Sequence, residues 1–240
     1  MSKIEKINSV VGNYILASLP ETEYRQLLPH LQTLRMTSET LIYQTGERFE
    51  YVYFPTTAMF SWIAMTRDGE RVEVGVVGWE GIVGVPEILG YRVSPFAVEI
   101  ELPGEAIRIK VEKFRSLLNE LPLLQTIAFR YTYTAMTQLA QSSVCNRFHT
   151  VEERMTRWLL MAHDRTEGNE LFLTQEILAG MIGARRPAVS IVIGNLQKSG
   201  LLRAERGKLT IIDRQGMEKT SCECYRVIRE AFEQFIKNPD

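Results

Sequence analysis

From Leu123 to Glu167 the chain runs 45 residues without a glycine or a proline. The two residue types that most readily interrupt a helix are missing, so nothing local stops one from forming. A single helix of that length would span about 65 Å at ~1.5 Å per residue. One domain cannot bury so long a rod, so the helix is expected to pair with a second copy, to break, or both. Thr150-Val151-Glu152-Glu153 marks the break. Threonine followed three residues later by glutamate is a capping box, in which hydroxyl and carboxylate satisfy orphan N–H groups at a helix start. A new helix is expected from Thr150, with Asn146–His149 as a hinge. Ahead of it, Leu124, Ala128, Tyr131, Ala135, Leu139 and Ser142 recur at spacings of three and four. Such a stripe suits a partner helix across a dimer interface; the alternative is packing on the chain's own N-terminal domain.

The N-terminal part reads differently. Ile7–Ser18 and Glu21–His30 are expected as two short helices parted by Leu19-Pro20. From Leu31 to Lys110 the pattern is that of short strands: Val52-Tyr53-Phe54, Met59–Ala64, Val72–Val77, Val98–Leu102 and Ala106–Ile109. Asp68-Gly69 between two of these runs is a hairpin signal. Many short strands with glycine-rich turns argue for a sandwich or barrel-like roll. Val111–Asn119 reads as a helix.

Beyond the break, Thr174-Gln175-Glu176 opens a helix with threonine as N-cap and glutamate in the first turn. Leu178, Ala179 and Ile182 form its inner face, and Gly183 supplies a turn that tolerates positive φ. Pro187 is acceptable only in a first helical turn, where its missing N–H has no partner. The second helix is therefore expected to start at Arg185–Arg186, with Val189 and Val192 facing inward. Ser199-Gly200 ends it, and Leu201–Arg203 and Lys208–Ile212 flank Glu205-Arg206-Gly207 as a two-stranded wing. Helix, glycine turn, helix and basic wing, in that order, predict a winged helix-turn-helix. Its second helix would present N-terminal residues to a DNA major groove. Arg185 and Arg186 suit guanine or phosphate, and Ser190 and Asn195 are further polar contacts. Ala188, Thr174 and Gln175 complete the expected interface, and Arg203, Arg206 and Lys208 on the wing suit phosphate.

Charge distribution agrees. Residues 1–120 carry 12 Lys/Arg against 16 Asp/Glu, whereas residues 147–215 carry 11 against 8. An acidic front and a basic back suit a protein whose nucleic-acid contacts lie in one domain. No apolar run reaches the roughly 18 residues of a membrane span. Met1–Asn8 lacks the apolar stretch of a signal peptide, so a cytoplasmic protein without a membrane partner is expected. Cys145, Cys222 and Cys224 are too few for a disulfide framework, and Cys222 and Cys224 have one residue between them rather than the two of a CxxC. With His30, His149 and His163 as the only histidines, no metal cluster is legible, and all three thiols are read as buried and structural. Glycines 78–84 lack the Lys-Ser/Thr of a phosphate loop, and no nucleophile–His–acid set is apparent, which argues against an enzyme.

At these residues the chain resembles the CRP/FNR family of bacterial regulators. Val74-Gly75-Val76-Val77-Gly78-Trp79-Glu80-Gly81-Ile82-Val83-Gly84 is similar to a signature of one subgroup. So are Asn146, His149, Glu152, Arg154, Arg157, Trp158 and Cys222-Glu223-Cys224-Tyr225, and Gly183–Ser190 falls on the family's recognition-helix motif. The resemblance implies an α+β chain in three parts. A double-stranded, jelly-roll-like β-roll of the cyclic-nucleotide-binding type takes residues 1–120. A dimerisation helix and hinge take 121–149, and a winged helix-turn-helix takes 150–240. It implies double-stranded DNA, a second copy of the chain and RNA polymerase as partners.

Two departures matter. Family members that bind cyclic AMP use a glutamate for the ribose and an Arg-Ser pair for the phosphate. Here Glu80, Arg92 and Ser94 are the corresponding pocket residues, but Arg92 is followed by Val93, so no cofactor and no cyclic nucleotide are expected. In the recognition helix Pro187 and Ile191 replace a glutamate and an arginine of the family's base-reading trio, leaving Arg186. The cysteine set of the oxygen-sensing members is also missing. The expected function is a homodimeric, sequence-specific transcriptional regulator whose roll senses an unidentified effector or none. The alternatives are a sensing module acting through a protein partner, or a cyclic-nucleotide-responsive regulator.

Overall fold

The computed structural model describes residues 12–237. They pack as two compact units. One contains the chain up to Ser61, Val77–Met136 and the chain from Phe232 on; the other contains Trp62–Val76 and Thr137–Ala231.

In the first unit the helix expected over Ile7–Ser18 is short: α1 covers Tyr14–Ala17, and residues 7–11 lie outside the described chain. Among the described residues the helix begins at Tyr14, behind the N-cap Asn13. Its Oδ1 accepts from the N–H groups of Ile15 and Leu16 at 3.1 and 3.3 Å, and Gly12 ahead of it has φ 68°. The Asn13 amide also donates to the carbonyls of Pro55 and Gly81, both at 2.9 Å, which pins the segment to the roll. α2 (Glu21–Leu27) follows, extended by a 3₁₀ turn over Leu28–His30.

Strands β1 (Gln32–Met36), β2 (Leu41–Tyr43), β3 (Tyr51–Pro55), β4 (Met59–Met65), β5 (Arg71–Val77), β6 (Ala97–Leu102) and β7 (Gly104–Lys110) come next. A short α3 (Val85–Ile88) interrupts them. One sheet has the order β1-β7-β3 and another the order β2-β6-β4-β5. In the first, β7 is antiparallel to both neighbours, with Leu34 opposite Ala106 and Phe54 opposite Ile107. All five strands read from the sequence are present, and Asp68-Gly69 lies in the β4–β5 connection with Gly69 at φ 86°. The first unit's core gathers Ile15, Leu16, Phe54, Phe60, Ile100 and Phe114, all fully buried; Phe114 belongs to α4 (Val111–Glu120).

The long stretch becomes α5 (Pro122–Phe148) and α6 (Val151–His163). The break is narrower than the expected hinge: Asn146–Phe148 stay helical, and only His149 and Thr150 separate the two helices. The capping box is complete. Thr150 Oγ1 accepts from the N–H of Glu153, and the Thr150 N–H donates to Glu153 Oε2 at 2.8 Å. Hydrogen bonding to the Thr150 backbone and hydroxyl holds the Glu153 carboxyl below the usual carboxylate range.

The second unit, which also holds the Trp62–Val76 part of β4 and β5, continues with β8 (Glu170–Leu171), α7 (Gln175–Met181), α8 (Arg186–Lys198), β9 (Leu202–Glu205), β10 (Lys208–Ile211), α9 (Arg214–Thr220) and α10 (Glu223–Lys237), whose residues from Phe232 on count with the first. The wing has three strands, in the order β8-β10-β9. Met155, Trp158, Leu159, Leu178, Val189 and Leu209 are buried in its core. Replacing Thr150 with Ala removes one half of the capping box. It should cost about 1 kcal/mol of stability in urea unfolding, while Thr150→Ser should stay within about 0.5 kcal/mol of the parent.

Candidate nucleic-acid interface

α7 begins as the sequence predicts. Thr174 is its N-cap, the hydroxyl accepting from the Ile177 N–H at 3.2 Å. The next turn is set by Gly183, at φ 59°. A Cβ there would also stand 3.1 Å from Val72 Cγ2, so conformation and space both require glycine. Across the turn α7 and α8 bend by 108°, within the range of a helix-turn-helix. Leu178, Ala179 and Ile182 from the first helix and Val189, Val192 and Ile193 from the second are buried. Arg185 is the extended N-cap of α8, and Pro187 occupies the first turn, as its missing N–H demands.

The outer face of α8 carries Arg186, Pro187, Ser190, Ile191 and Asn195, all exposed, with Ala188 half-buried. Ser190 Oγ donates to Gln175 Oε1 at 2.6 Å, so the first helix orients a polar pair at the start of the second. Arg186 Nε lies 3.8 Å from Glu176 Oε2, with both side chains largely exposed. A surface pair of this kind is worth only ~0–1 kcal/mol and leaves the guanidinium available. Arg185, Arg186, Ser190 and Gln175 are thus brought together. Asn195, nine positions beyond Arg186 in the sequence, stands ~14 Å along the helix. On the wing Arg203 and Arg206 are exposed. Lys208 is engaged instead: its ammonium is 2.9 Å from Glu170 Oε1 and 3.8 Å from Glu205 Oε2. The strand that carries Glu170 is only two residues long, too short to show a pattern in the sequence.

Residues 153–220 match the family described as the Crp-like helix-turn-helix domain. They form a Crp-like helix-turn-helix domain. Solved structures agree over most of the chain. FixK2 from Bradyrhizobium japonicum is 16% identical, with 80% of this chain and 98% of that one covered and a TM-score of 0.69. A CRP-family transcriptional regulator from Thermus thermophilus is 17% identical, covering 78% and 96% at a TM-score of 0.64. The c-di-GMP-responsive global regulator CLP from Xanthomonas campestris is 20% identical, covering 81% and 100% at 0.59. No curated protein sequence matches. At these identities the structures establish a shared fold, and the resemblance to CRP/FNR regulators holds in both comparisons. No single helix among the described residues is long and apolar enough to cross a membrane.

Ahead of the Crp-like domain, Glu80, Arg92 and Ser94 are used as follows. Glu80 is buried, with Oε1 accepting from the Gly78 N–H at 3.2 Å. Ser94 is buried and donates its hydroxyl to the Phe96 carbonyl at 2.7 Å. Arg92 is exposed. Gly81 is matched to α5: a Cβ there would stand 2.3 Å from the Tyr131 hydroxyl oxygen.

The same contact turns the stripe read from the sequence inward. Leu124, Ala128, Tyr131, Ala135 and Ser142 are buried within this chain, and Leu139 is half-buried. The exposed face of α5 carries Phe129, Tyr133 and Met136 instead.

The structure also gathers residues that sequence spacing kept apart. Cys145 and His149, at the end of α5, meet Cys222 and Cys224, at the start of α10, with all four potential ligand atoms within 4.8 Å of one another. Each half carries a signal of its own: Cys145 and His149 are four apart across the end of α5, where the His149 N–H donates to the Cys145 carbonyl, and Cys222 and Cys224 are two apart. The separation of 77 positions between Cys145 and Cys222 hid their convergence. A hydrogen bond from Cys222 holds the Cys145 thiol low, with help from the charge of Arg157, while the same contact and burial push Cys222 up. Next to the cluster, Arg214 clamps the domain. Its Nη2 bonds Asp164 Oδ1 at 2.6 Å, its Nε bonds Glu218 Oε1 at 3.1 Å, and it reaches the Tyr225 hydroxyl.

Arg206 and Lys208 should therefore behave differently on duplex DNA. Arg206→Ala should lower the slope of log affinity against log salt by about 1. Lys208→Ala should change it by less than about half as much, because its charge is already neutralised by Glu170. Equal slopes for the two variants in fluorescence anisotropy titrations would contradict this assignment.

Proposed function

We propose that the chain is a sequence-specific DNA-binding transcriptional regulator that works as a homodimer in the cytoplasm, with RNA polymerase as its further partner. The observation that carries this reading is a pair of exposed arginines at the start of α8, behind a helix-turn-helix bend and beside the ordered Gln175–Ser190 pair. Arg186 is the base reader and Arg185 a phosphate or base contact. Ile191, 66% exposed, is suited to a thymine methyl, so the operator differs from one read by three charged side chains. Thr174 supports the interface through its cap, and Asn195 stands too far along α8 to join the arginine cluster.

Dimerisation fits the exposed face of α5. Thr126, Phe129, Tyr133, Met136, Ala140 and Ser143 are all exposed, at alternating spacings of three and four, which is the heptad pattern of a paired helix. An effector in the roll belongs to this reading, but a cyclic nucleotide does not. The Ser94 hydroxyl is taken up by Phe96, and Val93 stands where a second phosphate contact is needed.

Selection of bound genomic fragments followed by gel shift tests the central reading. Arg186→Ala should reduce discrimination between selected and scrambled sites by about 1–3 kcal/mol while leaving non-specific binding nearly intact. Retained selectivity would remove Arg186 from base reading, and no binding to any fragment would remove DNA from the function.

The seam is tested separately by sedimentation. Tyr133→Glu combined with Met136→Glu should shift the chain to monomer with its circular dichroism unchanged. Leu124→Glu should unfold it instead, because Leu124 is fully buried.

A further inference from the structure

We propose that Cys145, His149, Cys222 and Cys224 form a zinc site that ties the end of α5 to the start of α10. This assignment does not depend on the DNA-binding reading, since its tests measure metal and thiols. In a tetrahedral zinc site, bond lengths of about 2.3 Å to sulfur and about 2.0 Å to nitrogen place neighbouring ligands roughly 3.5–3.8 Å apart. The protein has Cys145 Sγ and Cys222 Sγ 3.5 Å apart, and Cys224 Sγ and His149 Nδ1 3.4 Å apart. A polynuclear iron–sulfur core needs its ligands spread around an inorganic cage, which four ligand atoms within 4.8 Å do not allow.

The surroundings are those of a metal site rather than of a plain apolar core. His149 turns Nδ1 to the thiols and Nε2 to Glu223 Oε2, 3.4 Å away. A carboxylate behind a ligating imidazole fixes its tautomer and raises its basicity. Gln141 Nε2 donates to Cys224 Sγ at 3.1 Å, a bond that favours thiolate. Three thiolates, a neutral imidazole and a divalent ion leave one net negative charge in a buried place. Arg157, only 3% exposed and within electrostatic reach of Cys145, balances it. Its Nε has no hydrogen-bond partner among the described residues, so a buried guanidinium otherwise stands poorly compensated, a costly arrangement.

The experiment uses the full chain, purified under reducing conditions without chelator. Elemental analysis should find one zinc per chain. Exchange for cobalt should give thiolate-to-cobalt charge transfer and the intense visible bands of a tetrahedral ion. All three thiols should resist an aromatic disulfide reagent until zinc is chelated. Cys224→Ser should weaken the charge-transfer band, and Glu223→Gln should lower cobalt affinity by about 10-fold; if the serine variant does not fold, the thiol-protection assay on the parent protein decides. Parent protein that carries no metal, gives only the weak spectrum of octahedral cobalt and exposes its thiols equally with and without zinc overturns the proposal. So does iron at equal stoichiometry, or a Cys145–Cys222 disulfide in the metal-free chain.

Discussion

The architecture depends on how a helix that nothing interrupts is made to stop. No proline or glycine is available between Leu123 and Glu167, so the chain ends α5 with side-chain chemistry alone. Thr150 leaves the helical region at ψ 163°, and its hydroxyl and N–H exchange hydrogen bonds with Glu153. That exchange restores part of what the break removes, at a position where a continuous helix would carry the Crp-like domain out along one rod. Only His149 and Thr150 are non-helical between α5 and α6, so two pairs of backbone dihedrals set the angle at which α6 leaves the end of α5.

Downstream of the break, local chemistry places Arg186 and Ser190 with little freedom. Thr174 starts α7, Gly183 turns it, and Pro187 forbids α8 from starting later than its first turn. Ala179 is small enough for two helices crossing at 108° to touch. Arg186 therefore emerges at a fixed point relative to Gln175, and Ser190 is held by the hydrogen bond between the helices. A larger residue at 183 would fail twice, on φ and on its approach to Val72, so the turn is determined by more than one constraint. Arg214 adds a polar clamp on Asp164, Glu218 and Tyr225, which holds α9 and α10 to the end of α6.

Most of this was legible because it rests on residues close in sequence. Capping box, glycine turn, first-turn proline and hairpin glycine each need only a few neighbours, and all appear where the residues put them. What could not be read needed a third dimension. α5 is apolar or small on two faces, with Leu124, Ala128, Tyr131 and Ala135 on one and Phe129, Tyr133 and Met136 on the other. With no polar stripe between them, periodicity alone could not say which faced the chain's own roll. The Tyr131–Gly81 contact decides it. β1 was missed because its burial pattern is mostly that of an exposed edge, with polar residues at positions a core strand would fill with aliphatics. Buried Glu73, which accepts from the Trp158 indole at 2.9 Å, likewise has no local signature, since its partner is 85 residues away.

The cysteine–histidine cluster sits where the break has most leverage. His149 immediately precedes the capping threonine, and Cys145 is one turn earlier on α5. Anything that fixes the His149 imidazole against Cys222 and Cys224 fixes one of the two non-helical residues joining α5 to α6. It does so from α10, whose Tyr225 hydroxyl also donates to Asp164 Oδ2 at the end of α6. The direction of the Crp-like domain then depends on two independent restraints, the capping box on one side of the break and the thiol–imidazole contacts on the other. The first is a hydroxyl and a carboxylate bonded to each other and to the backbone at the start of α6. The second is made of groups whose protonation and ligation follow their surroundings. Such chemistry stands beside the joint, at Cys145, His149, Cys222 and Cys224 just outside residues 153–220, whereas Glu80 and Ser94 of the N-terminal roll already bond backbone close to them in sequence.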